Sequence, residues 1–264
     1  MVDDAGDSVA VQVPATRVVS LIPASTELLF AIGAGPLVVG RTEWCDYPPA
    51  ARSVPNLGAG INPNLEAIIA ARSDLVILYN SAQHAAIASR LRELGVPALR
   101  INTDALADVR RVATLLGRLT GRSREADSMT AVFDSTLAAA TDPSPPLRRP
   151  TVLLLVWEQP PMTIGRGSFL SELVERAGGR NLFADVSTSS APVSIEAVSA
   201  RDPDLILTTA AGPASFARRP EWQVVRAVRE RRFLGISGSE YDRPGPRSPN
   251  AIRALRARLR AAMR

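Results

Sequence analysis

The chain has 264 residues, of which 46% are hydrophobic and 22% are charged, a balance typical of a folded globular protein and unlike that of a disordered chain. The net charge is +5, and all 31 basic residues are arginine, which indicates a GC-rich coding sequence more than a nucleic-acid partner. No stretch reaches the roughly 20 apolar residues that a membrane-spanning helix requires.

The first sixteen residues, 1–16, are small, polar and acidic, and we expect them to form a flexible tail. They lack a basic stretch followed by an apolar one, so no signal peptide is visible. The protein is therefore either periplasmic or otherwise extracytoplasmic, if a leader has been removed, or cytoplasmic. A single cysteine, Cys45, excludes an intrachain disulfide.

Strands and helices alternate over residues 17–119. A first strand spans Arg17–Ile22 and ends at Pro23, and Ser25 or Thr26 is expected to cap the helix that follows. This alternation predicts a parallel sheet with helices on both faces. The predicted elements after the first strand are helix Glu27–Ile32, strand Leu37–Gly40, helix Leu65–Ala71, strand Leu75–Tyr79, helix Gln83–Leu94 and strand Ala98–Ile101.

A long helical segment then covers Ala105–Leu119, breaks near Gly121 and continues over Ser123–Ala140. Residues 142–150 are rich in proline and end it. The strand–helix alternation resumes with strand Val152–Trp157, whose leucine-rich run is typical of a buried strand. The later predicted elements are helices Phe169–Ala177 and Ile195–Ala200, strand Leu205–Thr208, helix Glu221–Glu230, strand Phe233–Ile236 and helix Asn250–Arg264.

The final predicted helix is rich in arginine, and a nucleic-acid arm is one interpretation of it. No aromatic side chains alternate with the charges to stack on bases. We therefore favour an amphipathic helix with one solvated face. Four apolar residues at a spacing of three or four are expected to face inward: Ile252, Leu255, Leu259 and Met263.

An internal repeat relates the two halves of the chain. Residues 64–77, NLEAIIAARSDLVI, align with residues 194–207, SIEAVSARDPDLIL, so that Glu66 precedes Asp74 by the same eight residues that separate Glu196 from Asp204. Residues 27–35 and 172–179 give a second, weaker match. Two similar α/β lobes follow from this repeat, and a cleft between such lobes is a usual ligand site.

The fold class expected is therefore α/β, with two Rossmann-like lobes whose central sheets are mainly parallel, joined by a single long helix. The expected domains are a flexible N-terminal tail at 1–16, an N-terminal lobe at 17–119, a linking helix at 120–142 and a C-terminal lobe at 143–264.

Several local motifs resemble the class III periplasmic binding proteins, and most closely the vitamin B12 (corrinoid) binders. They occur in the family's order from residue 17 to about residue 250, and together they are more specific for the family than for its ligand. The matching segments are RVVSLIPASTEL at 17–28, CDYPP at 45–49, NPNLE at 62–66, DLVI at 74–77, MTIG at 162–165, AGGRNLF at 177–183 and VSIE at 193–196.

This resemblance implies the substrate-binding component of an ABC importer, which captures a corrinoid and delivers it to a dimeric membrane permease. One glutamate of each lobe then docks on permease arginines, and the matching positions are Glu66 and Glu196. A second interpretation of both stays open. Each lies in the first turn of a helix, two residues after a capping residue, Asn64 or Ser194, where an acid favours the helix dipole by itself.

The resemblance also places ligand contacts in loops at the strand ends. Trp44 matches an aromatic contact, with a surface anchor as the alternative. Arg243 could bind a ligand amide, phosphate or carboxylate, or could simply be solvated. Where relatives carry further aromatics, this chain has Gly60, Met162 and Ser190, which departs from the family pattern and leaves the ligand open. The remaining candidate contacts are Pro23, Ala24, Ser25, Glu240, Tyr241 and Arg247.

Enzyme chemistry finds little support in the sequence. Gly33 and Gly35 follow a helix and lack the third glycine of a dinucleotide-binding loop, and a chain without lysine has no P-loop lysine. The single histidine, His84, is expected to face solvent near a helix start, and nothing near Cys45 in sequence would activate its thiol. We therefore expect no catalytic residue, no metal site and no cofactor other than a transported corrinoid.

Three other functions remain within binding proteins. The arginines would suit a ferric siderophore, a haem binder could use the same scaffold, and the missing leader would suit a cytoplasmic corrinoid-handling protein. In each case we expect a monomer that binds a small molecule, with no nucleic acid and no insertion into a membrane.

Overall fold

The computed structural model describes residues 1–61, 63–141, 149–209 and 214–263. The chain divides into two compact units, residues 1–134 with 243–246 and residues 135–242 with 247–264. Most of the proline-rich stretch, Asn62 of the 62–66 motif and the last residue of the final helix lie outside the described residues. The predicted domain bounds stay a prediction.

The first unit contains a four-stranded sheet in which every pair is parallel. Its strand order is β2-β1-β3-β4, so the chain reverses direction across the sheet next to β1. Its elements are β1 (Val18–Ser20), α1 (Pro23–Ala31), β2 (Val38–Arg41), α2 (Leu65–Ala70), β3 (Leu75–Tyr79), α3 (Ala82–Glu93), β4 (Ala98–Ile101), α4 (Leu106–Thr120) and α5 (Ser123–Ala140), the last of which contributes residues to both units.

Runs of consecutive buried residues explain where these strands form. Leu75–Leu78 are all buried, as expected for a parallel strand covered by helices on both faces. One core cluster includes Val19, Val76 and Leu91, from β1, β3 and α3. The helical segment after β4 ends at Gly121, which takes a left-handed backbone (φ 71°) that favours glycine, and the predicted break is confirmed.

The second unit has a mixed sheet of order β10-β9-β5-β6-β8, in which β5, β9 and β10 are parallel and β6 and β8 are antiparallel additions. The sequence analysis missed both additions and a two-residue strand, β7, which pairs with β5. The elements are β5 (Thr151–Glu158), β6 (Pro161–Ile164), α6 (Phe169–Arg176), β7 (Arg180–Asn181), β8 (Ser190–Pro192), α7 (Ile195–Arg201), β9 (Leu205–Thr208), α8 (Arg226–Arg229), β10 (Phe233–Gly235) and α9 (Ser248–Ala262).

Some local predictions are wrong. Neither Ser25 nor Thr26 caps α1, because the helix begins two residues earlier, with Pro23 in its first turn. The helix predicted at 221–230 is a 3₁₀ turn over Pro220–Val224 followed by the short α8, since the residue between them is extended. Met263 is 40% exposed, because α9 ends at the residue before it.

The internal repeat corresponds to an Asp–Thr clasp in each unit. In the first, the Asp74 carboxylate accepts hydrogen bonds from the amide and hydroxyl of Thr16 (both 2.8 Å) and from the amide of Arg17 (2.9 Å). In the second, Asp204 accepts from the amide (2.9 Å) and hydroxyl (3.0 Å) of Thr151. Each aspartate directly precedes a central strand, so each clasp joins the starts of two adjacent parallel strands.

The segment 1–16, expected as a flexible tail, makes many contacts in the first unit. The terminal ammonium donates to the Val9 carbonyl at 2.9 Å, and the Asp3 carboxylate accepts the Arg100 amide at 3.1 Å. Asp7 forms ion pairs with Arg92 and Arg100 at 3.0 and 2.7 Å.

Among the described residues, every helix is too short or too polar to span a membrane.

Candidate functional site

Several predicted ligand residues lie where the strands of the first unit end. In open α/β sheets, ligands bind outside the carboxyl ends of the strands, where the strand order reverses. The chain leaves β1 into Pro23 and leaves β2 into the loop that carries Trp44. Gly60 lies beside both exits, because a Cβ built on it would be 3.8 Å from the Leu21 carbonyl oxygen and from Thr42. The fold therefore gathers these positions at one edge.

Trp44 is 62% exposed, although its loop is held firmly from below. The neighbouring Cys45 is buried, with its Sγ 3.2 Å from the Thr42 hydroxyl and 3.7 Å from the Ser20 carbonyl oxygen. The thiol thus anchors the loop after β2 to the end of β1. An exposed indole on an anchored loop is a preformed surface for an apolar ligand.

Arg243 holds the same loop from the other side. Its guanidinium donates to Glu27 at 2.8 Å, to Asp46 at 3.0 Å and to the Trp44 carbonyl oxygen at 3.4 Å. The side chain is 14% exposed, so simple solvation, the alternative considered for this residue, is wrong. Partial burial alone would raise the pKa of Asp46, but the Arg243 guanidinium, a backbone hydrogen bond and the Arg52 charge together hold that pKa below its usual range.

The Pro23–Ser25 stretch offers less to a ligand than expected. Ala24 and Ser25 are buried inside the first turn of α1, and only Pro23 is partly exposed. The buried Ser25 hydroxyl has no hydrogen-bond partner within the described part of the chain.

His84 does not face solvent, so that expectation is wrong. It is 6% exposed, and its Nδ1 and Nε2 lie 3.0 Å from the Tyr79 carbonyl oxygen and 2.6 Å from the Gly60 carbonyl oxygen. The histidine therefore ties the Gly60 loop to the start of α3. Its place two residues after the helix start hid this role, because the partner loop lies 24 residues earlier.

In the second unit, Met162 and Ser190 lie on the two antiparallel strands. Met162 on β6 pairs with Pro192, and Ser190 on β8 pairs with Ile164, so all four side chains share one face. Ser190 is exposed and Met162 is partly exposed.

The loop after β10 contains the other predicted contacts. Arg247 donates to Glu240 at 2.7 Å and to the Ser239 hydroxyl at 2.9 Å, which offsets its charge within the loop. Tyr241 is only 7% exposed, and burial together with the Glu240 carboxylate raises the pKa of its phenol. Tyr241 thus packs inward, while Glu240 and Arg247 form a partly exposed ion pair.

The two candidate docking glutamates have the same local setting. Asn64 caps α2 by accepting the Ala67 amide at 3.1 Å, and Ser194 caps α7 by accepting the Ala197 amide at 3.1 Å. Both glutamates are exposed. The backbone amide and the Ser194 hydroxyl lower the pKa of Glu196, so it is ionised at neutral pH.

Sequence reasoning missed one exposed aromatic. Trp157 was assigned to a buried strand, yet it is 61% exposed near the end of β5 and pairs with Met162. The polar residues that directly follow it, Glu158 and Gln159, were the available signal that the buried run had already ended.

Comparison with known proteins gives a consistent result. Residues 18–238 match the family described as periplasmic binding protein. An ABC transporter substrate-binding lipoprotein of Bacillus subtilis (strain 168) is 27% identical over 263 residues, with 96% of this chain and 83% of that protein covered. A vitamin B12-binding protein of Vibrio parahaemolyticus is 27% identical over 240 residues, with 90% and 87% covered.

Among solved structures, the periplasmic heme-binding protein of Roseiflexus sp. RS-1, in its apo form, superposes with a TM-score of 0.84 at 27% identity. The match covers 95% of this chain and 100% of that one. The expected α/β fold class is confirmed.

Proposed function

This chain belongs to the periplasmic binding protein family, and we propose that it captures a corrinoid outside the cytoplasm and delivers it to the permease of an ABC importer. Proteins of this family bind solutes and are not enzymes. The observation that carries the ligand class is Trp44, an exposed indole on a loop anchored by Cys45 and Arg243. Its ring suits the apolar face of a planar macrocycle.

The charges near the site favour a neutral ligand over an anionic one. The alternative that the ligand is a ferric siderophore requires arginines that can bind an anion. Arg243 is paired with Glu27 and Asp46, and Arg247 is paired with Glu240. An anionic chelate would have to compete with these carboxylates, whereas the amide groups of a corrinoid would not.

Haem is the second candidate, because a structural relative is named for it. A bound haem iron takes its protein ligand from histidine, cysteine, methionine or tyrosine. Both ring nitrogens of His84 are within hydrogen-bond distance of carbonyl oxygens, and Cys45 is buried. Neither residue is therefore available to ligate iron. Tyr47, 37% exposed three residues after Trp44, is the candidate haem ligand nearest to Trp44 in the sequence.

Titration calorimetry with cyanocobalamin, dicyanocobinamide and hemin tests the ligand. We expect either corrinoid to bind with a Kd of about 1 μM or tighter, equivalent to about −8 kcal/mol. Trp44→Ala should weaken binding by about 1–3 kcal/mol, while Ile69→Ala, another exposed apolar truncation in the same unit, should not. If only hemin binds and Tyr47→Phe abolishes that binding, the ligand is haem and not a corrinoid.

For delivery, we propose that Glu66 and Glu196 dock on permease arginines. Both are exposed carboxylates at matched positions of α2 and α7, which suits charge-assisted contacts with a partner. The double variant Glu66→Arg/Glu196→Arg should abolish stimulation of the ATPase activity of the assembled importer and leave ligand affinity unchanged. Glu93→Arg, an exposed reversal on α3, serves as the control. Loss of ligand affinity in the double variant would instead place these residues in the ligand site.

A further inference from the structure

Trp157 leaves the buried part of its strand with most of its ring exposed. Val152–Leu155, the residues before it, are fully buried, whereas Trp157 is 61% exposed. Tryptophan carries a large apolar surface, so its exposure forgoes more burial than that of almost any other side chain. Single exposed apolar residues are common on proteins, and Trp157 needs a second observation to mean more than that.

The second observation is a row of side chains across three strands. Trp157 on β5 pairs with Met162 on β6, and Met162 pairs with Pro192 on β8. Residues directly opposite each other in antiparallel strands point to the same face, so the three form one apolar row. The register between Leu155 and Trp157 shifts by one residue, a β-bulge, and this shift sets Trp157 opposite Met162.

The polar group of Trp157 is already bonded within the same hairpin. Its indole Nε1 donates to the Gln159 carbonyl oxygen at 2.7 Å. This bond fixes the ring without burying it, and leaves the apolar faces as the part that another molecule can contact. A side chain held in this way loses little conformational entropy when a ligand packs on it.

The row also lies at the functional end of the sheet. The parallel pairing of β5 with β9 ends at Leu155 and Thr208, and Trp157 lies two residues beyond it, outside the carboxyl ends of the parallel strands. Ligands of open α/β sheets bind at this end.

We propose that Trp157 is a ligand-contacting residue, whose indole packs with Met162 against the flat apolar face of a planar metal macrocycle. This inference rests on the proposed function and deepens it. None of the candidate contacts Gly60, Met162 and Ser190 has an aromatic side chain. Trp157, one strand away from Met162, supplies an aromatic face that those positions lack.

Calorimetry on single variants tests the contribution to affinity. Trp157→Ala should weaken binding of dicyanocobinamide about 10-fold or more, and Trp157→Phe, which keeps a flat ring, should stay within about 3-fold of wild type. Val224→Ala removes another exposed apolar side chain of the same unit and should leave the affinity unchanged. An unchanged affinity in Trp157→Ala would overturn the proposal.

A second readout reports contact without relying on affinity. The three tryptophans, labelled as 5-fluorotryptophan, give separate ¹⁹F resonances that single Trp→Phe variants assign. Saturating ligand should shift the Trp157 resonance, while that of the fully buried Trp222 serves as the reference. If the wild type binds a corrinoid or hemin and the Trp157 resonance does not shift, the role of Trp157 is refuted and the proposed function is not. If the wild type binds neither, the proposed function and the role of Trp157 are both refuted.

Discussion

Replacing Arg243 by methionine removes the charge that faces a buried carboxylate. The Glu27 side chain is 2% exposed and lies 2.8 Å from the guanidinium, whose own side chain is 14% exposed. Removing one partner of a buried pair typically costs about 3–5 kcal/mol, because the other charge stays out of water. The bond to Asp46 adds little, since that side chain is 48% exposed.

Thermal and urea unfolding measure this cost. A loss of about 3 kcal/mol lowers Tm by about 6 °C or more in a protein of this size. The matched control is Arg90→Met, which breaks the exposed pair with Glu93 and should change the free energy of unfolding by less than about 0.5 kcal/mol. The double variant Glu27→Gln/Arg243→Met should lose less than the sum of the two single variants, because it leaves neither charge of the pair buried without its partner.

Equal stability of Arg243→Met and Arg90→Met would refute the reasoning. It would mean that other groups around Glu27 satisfy its carboxylate without Arg243. A normal stability together with a weakened affinity for corrinoid would assign Arg243 to the ligand instead of the loop.

Three further predictions concern titration and packing. The pKa of Asp46 is lower in the folded protein than in the unfolded chain, where it is about 4. The stability that Asp46 contributes is therefore present above about pH 4 and is lost as the pH falls through the lower folded value. The free energies of unfolding of Asp46→Asn and wild type should converge at acid pH. Burial and the Asp104 carboxylate raise the pKa of Tyr79 to about 12, so the absorbance change at alkaline pH that Tyr79→Phe removes should be centred near pH 12 instead of 10. Gly165→Ala should lower Tm, because the added Cβ would collide with the backbone carbonyl oxygens of Val186 and Thr188, and circular dichroism melting will measure the loss.

Much of the parallel core could be predicted from the sequence. Strands Leu75–Tyr79, Ala98–Ile101 and Leu205–Thr208 form at the predicted bounds. The signal is clearest in β3 and β9, where Leu75–Leu78 and Leu205–Leu207 are consecutive buried apolar residues, typical of strands covered on both faces. The strands β6 and β8 were missed, since each is short and contains proline, and β8 is an edge strand.

The candidate site was predictable only where its signal is local. Trp44 stands out as an aromatic in a loop of prolines and glycines, and its exposure follows from that setting. The partners of Arg243 are 197 and 216 residues away, and no periodicity reports a contact over such a distance. Trp157 was misread because it follows the buried run Val152–Leu155 closely, and only the polar Glu158 and Gln159 after it signal that the run has ended.

The two Asp–Thr clasps also bear on how each sheet finds its alignment. Neighbouring parallel strands have no tight turn to set their register, and a slip of one residue would move every side chain to the other face of the sheet. Asp74 and Thr16 are 58 residues apart, and Asp204 and Thr151 are 53 apart. A carboxylate that accepts both an amide and a hydroxyl bonds fully in only one alignment. Each clasp therefore fixes the register of two paired strands, and the repeated Asp-Leu of the sequence marks where each unit does so.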